Sequence, residues 1–176
     1  MLSTIVFCEE RVIAHSGRNV AEVLARTLAS LVTAKIEGVL CDVCIAGPAG
    51  QEIHMLANHA GCSLAEAEQE RDWLWIALQA ARRQDVFLLR CGFAPEAGFI
   101  EEAQGLLKAN AKVSQAASLR SAPCGFLERV FPSLSPVAGL IASRDDLLRA
   151  SPCGFQKLAR RLAPGTTLRT HARQIF

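Results

Sequence analysis

The feature that most narrows the fold is the stretch Val39-Leu40-Cys41-Asp42-Val43-Cys44-Ile45-Ala46-Gly47-Pro48-Ala49-Gly50. A nearly unbroken apolar, β-branched run stops abruptly at small, turn-forming residues, with helix-like segments on either side. A strand apolar on both of its faces is a strand covered on both faces, as in a parallel sheet sandwiched by helices. Ligands of such sheets bind beyond the C-terminal ends of the strands, so the loop from Gly47 to Gly50 is where chemistry is expected.

A chain of 176 residues suits one domain, read here as 1–176, and can bury a proper core. Apolar residues make up 51% and charged ones 20%, a balance that argues for a folded domain over disorder. The net charge of +2 gives no electrostatic reason to expect nucleic acid or an anionic membrane as partner. No apolar run approaches the ~20 residues that span a bilayer, and Glu9-Glu10 follows Met1 too closely for a signal peptide. A cytoplasmic protein is the expectation. The seven cysteines, at 8, 41, 44, 62, 91, 124 and 153, are an odd, scattered set that reads as reduced core thiols.

In chain order, Thr4–Cys8 and Val12–His15 are both β-like; the second leads directly into a helix and is read as the first core strand. Asn19 and Glu22 have capping-box spacing, and Val20, Val23, Leu24, Thr27, Leu28, Leu31 and Val32 form the apolar stripe of a helix running to about Ala34. A short helix over Gln51–Ala60 stops at Gly61, with an edge segment at Cys62–Ala65. Glu70–Arg83 is a helix, Asp85–Arg90 a second buried strand, Cys91–Pro95 a turn, Glu96–Lys108 a helix with an acidic start, and Ala111–Leu119 a strand. Beyond Arg120 prolines divide the chain. A short helix fits Gly125–Phe131, a buried strand Val137–Ser143, helix starts Arg144 and Phe155, and a last strand Thr167–Thr170. Strands alternating with helices predict a three-layer α/β/α domain with a mostly parallel sheet. Cys-Gly-Phe recurs at 91, 124 and 153 without a repeat around it.

The residues themselves carry little catalytic signal. Cys41 and Cys44 match CxxC, but positions i and i+3 of a strand point to opposite faces and cannot share a metal or a disulfide. His54 and His59 stand about 140° apart around one helix and do not converge. No G-x-S-x-G elbow occurs, and the Gly47–Gly50 loop lacks the Lys of a P-loop, leaving at most a backbone nest for an anion. Glu9-Glu10, Glu101-Glu102 and Asp145-Asp146 read as solvated or helix-dipole carboxylates.

Several segments, taken together, resemble bacterial family 2 glycosyltransferases of the GT-A fold. Val23–Val32 through Glu37-Gly38-Val39 into Asp42-Val43 is similar to the family's first helix and second strand. Ala60-Gly61-Cys62, Glu70-Arg71 and the strand to Leu89 are similar to its middle section. Gly98-Phe99-Ile100-Glu101-Glu102 resembles its Gly-Trp-x-x-Glu helix start, and Gly139–Arg144 its Gly-Leu-x-x-x-Arg strand. The resemblance spans about residues 12 to 165 and implies sugar transfer from a nucleotide-sugar donor. In that chemistry an Asp binds the nucleotide, a DxD motif holds Mg²⁺ or Mn²⁺ on the diphosphate, and an acidic pair supplies the base.

This chain departs at each point. Gly47 stands where the nucleotide Asp would be, Arg90-Cys91-Gly92 where the metal motif would be, and Gln156-Lys157-Leu158 follows Gly154-Phe155 where the acidic pair would be. The resemblance therefore implies a glycosyltransferase-like protein with weak or lost catalysis, no assigned catalytic residue and no complete metal site. It also implies a remnant nucleotide-sugar pocket drawn from Ala14, His15, Gly47, Gly50, Arg71 and Arg90, with Arg90 neutralising a diphosphate in place of a metal. The alternatives are an active transferase using Arg90 with Glu96 or Glu101, and a non-catalytic binding or interaction module, dimeric through Trp73, Trp75 or Phe99.

Overall fold

A computed structural model describes residues 1–9, 19–109, 115–131 and 135–175. Its strands are β1 (Leu2–Phe7), β2 (Leu40–Ala46), β3 (Ser63–Ala65), β4 (Asp85–Arg90), β5 (Phe93–Pro95), β6 (Ala117–Ser121), β7 (Val137–Ser143) and β8 (Thr166–Gln174). Its helices are α1 (Val20–Ser30), α2 (Val32–Ile36), α3 (Gln51–Ala60), α4 (Glu70–Ala80), α5 (Phe99–Ala109), α6 (Phe126–Val130), α7 (Arg144–Ala150) and α8 (Phe155–Leu162). The strands form one sheet in the order β3-β2-β1-β4-β7-β6-β8-β5. The β3-β2-β1-β4 half is parallel throughout. Beyond it β7 runs against both β4 and β6, β8 runs parallel to β6, and β5 runs against β8.

The strand at the middle of the parallel half is Leu2–Phe7, which corrects the choice of Val12–His15; those later residues lie outside the described ones. Leu2, Val6 and Cys8 pack into the core on one face of the sheet, and Ile5 and Phe7 into the core on the other. A run this evenly apolar satisfies both faces, so it belongs between two paired strands. Glu9 then falls at the C-terminal edge of the sheet.

Other boundaries shift for local reasons. The first helix breaks at buried Leu31, so the expected single helix to Ala34 becomes α1 and α2. Asn19 does cap α1, accepting from the Ala21 amide at 2.9 Å. Glu22 turns outward to Arg26 at 2.6 Å, so the reciprocal half of the capping box is not made by its side chain. Gly61, at φ +65°, ends α3 in the left-handed conformation that costs glycine little. Phe93–Pro95, expected as turn, pairs with Ala172–Gln174 and closes the far edge of the sheet. The strand expected from Ala111 begins at Ala117 among the described residues.

Glu102, expected as a solvated or helix-dipole carboxylate, ties α5 to β8. It accepts from the Arg169 and Thr170 amides, each at 3.0 Å, and from the Thr170 hydroxyl at 2.5 Å. Burial works to raise its carboxyl, but these donors outweigh it and hold the group below the usual carboxylate range. Trp73 (1% exposed) and Phe99 (2%) are core residues, while Trp75 is 42% exposed. On α6 and its flank, Phe126, Leu127, Val130 and Phe131 are all exposed. Among the described residues no helix is long and apolar enough to cross a membrane.

Candidate functional site

Four parallel strands deliver their C-terminal ends to one edge: Cys8-Glu9 after β1, Gly47-Pro48 after β2, Glu66 after β3, and Cys91-Gly92 after β4. Register sets what meets there. Phe7 pairs with Arg90, and the Cys91 amide donates to the Phe7 carbonyl at 2.9 Å. Arg90 follows Leu88 on the α4 face of the sheet, and Glu9 follows Phe7 on the same face.

Their side chains meet. Arg90 donates to one oxygen of Glu9 from Nη2 at 2.6 Å and from Nε at 3.1 Å, and its Nη1 donates to the Val137 carbonyl at 3.4 Å. The two side chains are 10% and 12% exposed. The guanidinium carbon sits 5.3 Å from the Phe93 ring centre and 5.6 Å from that of Phe155. Two of the three Cys-Gly-Phe triplets thus place their phenyl rings on Arg90, whereas the third leaves Phe126 exposed. No repeat is needed to explain this; two turns simply end at the same charge.

The opposite face of the edge is a thiol pair. Cys8 and Cys91 are neighbours across β1 and β4, both buried. Hydrogen bonding to Cys91 and then burial push the Cys8 thiol up. The same contact with Cys8, helped by Thr27 and the Gly92 amide, draws Cys91 down against its burial. Thr27 orders this corner by accepting from the Gly92 amide at 2.9 Å.

Gly47 runs so close above Cys8 that a Cβ on it would lie 3.1 Å from the Cys8 Cβ. A side chain at this position would be tight, and the Cys8 side chain would have to give by a few tenths of an ångström to admit it. Gly50 is the N-cap of α3 with open space around it, and it offers no side-chain cap. Arg71 stands in the first turn of α4, 63% exposed and 3.8 Å from Asp72, with no bond to Gly47, Glu9 or Arg90. Ala14 and His15 lie outside the described residues. Of the six candidate residues the structure describes four, and places Gly47, Gly50 and Arg90 along one edge. Glu96 and Glu101 are exposed, and the carboxylate that meets Arg90 is Glu9.

Glu9 is the residue that sequence reading missed. Its signal was present, since an acid directly after an apolar strand belongs at a ligand edge; choosing the wrong first strand hid it. Among the described residues no group of three His, Cys, Asp or Glu side chains is placed to hold a metal ion. The described residues around Arg90 and Cys91 thus offer a guanidinium, one carboxylate that it already holds and two buried thiols, a set that does not suit a divalent metal on a diphosphate.

The architecture has clear relatives among solved structures. Glucosyl-3-phosphoglycerate synthase from Mycobacterium tuberculosis, in complex with phosphoglyceric acid, superposes with a TM-score of 0.55 at 16% identity, over 83% of this chain and 58% of that one. A mycobacterial protein of unspecified activity superposes with a TM-score of 0.61 at 14% identity, over 99% of this chain and 65% of that one. This is a GT-A glycosyltransferase fold. The same synthase has been crystallised with Mn²⁺, UDP-glucose and phosphoglyceric acid, at 14% identity and a TM-score of 0.56. The chain spans roughly three-fifths of the length of the synthase structures it matches, 58% in the first of them. No protein-family model matches it, and no curated protein sequence does.

Proposed function

We propose that this chain is a glycosyltransferase-like domain of the family 2 type that keeps the GT-A scaffold and has lost metal-dependent sugar transfer. The observation that carries this reading is the buried Glu9–Arg90 pair. At the position where the resemblance puts a metal motif, the strand ends in a cation whose charge is already matched inside the protein. A diphosphate arriving there would have to compete with Glu9 for the guanidinium. The tight passage of Gly47 over Cys8 supports the same reading on the nucleotide side. A nucleotide-sugar remains the ligand class to test, held by backbone amides at the start of α3 and by the exposed Arg71.

Thermal denaturation with UDP-glucose and GDP-mannose, each with and without Mn²⁺, tests this directly, together with an assay for released UDP. The expected result is no Mn²⁺-dependent shift and no UDP release. A ligand at about 100 times its dissociation constant raises the midpoint of a protein this size by roughly 5–11 °C. A rise of that order that requires Mn²⁺, or turnover of the donor, would overturn the reading. Stabilisation by the nucleotide without metal would keep the pocket and confirm only the loss of the metal.

The exposed apolar residues of α6 favour a second reading, a non-catalytic interaction module. Under it, sedimentation shows concentration-dependent association that Phe126→Asp removes. A strictly monomeric wild type at all concentrations would leave α6 without this role.

A further inference from the structure

A cavity of about 570 Å³ opens between α8 and the strands β6 and β8, on the α4 side of the sheet. Only Val137 and Phe155 are shared with the surroundings of Arg90. Its polar lining joins the cations Arg120 and Arg160 to the hydroxyls of Ser118, Ser135 and Thr167 and the Gln156 carboxamide. None of the described residues that line it is acidic.

The fold builds this wall deliberately rather than leaving it to mobile side chains. Ser118 and Thr167 face one another across the β6–β8 register, their hydroxyl oxygens 3.1 Å apart. Arg120 donates from Nη1 to the Ser135 carbonyl at 2.8 Å, and the Ser121 amide donates to the Pro136 carbonyl at 2.9 Å. These bonds fasten residues 135 and 136 against the end of β6. Ser135 is 3% exposed, and among the described residues its hydroxyl has no hydrogen-bond partner. A buried hydroxyl left without a partner costs stability, on the order of 1–3 kcal/mol, so it needs an account. Arg160, exposed on the last turn of α8, forms no ion pair among the described residues.

We propose that this cavity binds a small organic oxyanion, a phosphoryl or carboxylate group seated between Arg160 and Arg120 and accepting from the hydroxyls of Ser135 and Thr167. The volume lies in the range of pockets that enclose a small molecule. Charge-assisted hydrogen bonds to guanidinium are the strong kind for such groups. The site does not depend on whether a nucleotide binds at the strand ends.

The test uses the intact chain, with glycerol phosphate and succinate as probes and sodium chloride matching the ionic strength. At ten times the dissociation constant the bound probe raises the thermal midpoint by roughly 3–6 °C. A response to glycerol phosphate alone assigns a phosphoryl ligand, and a response to succinate alone a carboxylate. Arg160→Ala should weaken the affinity read from the midpoint shifts by roughly 10- to 100-fold, and Ser135→Ala should weaken it while leaving the unliganded midpoint unchanged or higher. Arg161→Ala removes an equal charge one residue away and should leave the response intact. No response to either probe beyond the chloride control overturns the proposal. So does a response that survives both Arg160→Ala and Ser135→Ala, or one lost equally in Arg161→Ala.

Discussion

Arg90→Ala will lower the thermal midpoint by roughly 6–20 °C, the equivalent of about 3–5 kcal/mol for removing one partner of a buried ion pair. The reason is what the substitution leaves behind. Glu9, with a side chain 12% exposed, would lose both N–H donors that meet it. The rings of Phe93 and Phe155 would lose the cation between them. Arg90→Lys should recover only part of the loss, because a single ammonium cannot reproduce Nε and Nη2 on one carboxylate oxygen and Nη1 on the Val137 carbonyl. The discriminating variant is the double replacement Glu9→Leu with Arg90→Met. If the pair is a self-contained neutral unit, the double variant should be far more stable than Arg90→Ala, since neither charge is then buried alone. Urea unfolding of the three variants reads this out. A midpoint for Arg90→Ala within about 2 °C of wild type would show the pair to be solvated, and would return Arg90 to the set of cations open to a diphosphate.

Trp73→Ala should be comparably severe, about 3–5 kcal/mol. The indole is fully enclosed between α4 and the sheet, with the Phe7 ring 6.4 Å away, centre to centre, and the indole N–H donating to the Ala67 carbonyl at 2.7 Å. Trp73→Phe fills much of the volume but orphans that carbonyl, an intermediate loss of about 1–3 kcal/mol. Trp75→Ala, on the exposed side of the same helix, should stay within about 0.5 kcal/mol. Calorimetry on the three proteins separates a core tryptophan from an interface one. If Trp73→Ala kept the wild-type midpoint and altered only association, the indole would belong to a surface.

These two residues show how unevenly the fold was legible. Asp85–Arg90 and Val137–Ser143 appear as strands with the boundaries read from sequence, and Arg144 and Phe155 do begin helices. Continuous apolar runs and clean cap signals leave few alternatives locally. Leu2–Phe7 was legible too, as Thr4–Cys8, yet ranked second to Val12–His15, because a following helix outweighed an unbroken apolar run. That one preference carried Glu9 away from the sheet edge and left Arg90 looking unpartnered. Cys-Gly-Phe at 91 and 153 could not have been connected from spacing alone. The residues are distant in sequence and meet only because β4 and the start of α8 end at the same edge.

Taken alone, the chain determined the layered α/β architecture, the helix stop at Gly61, and the lack of an acid in the Gly47–Gly50 loop. Those properties live in runs, periods and single positions, where the covalent neighbours decide. Only the tertiary structure decided that Glu9 answers Arg90, that Gly47 passes tightly over Cys8, and that the Ser135 hydroxyl, unpartnered among the described residues, lines a cationic cavity. Each depends on strand register and on elements brought together from far apart in sequence, and pairings of that kind leave no local trace.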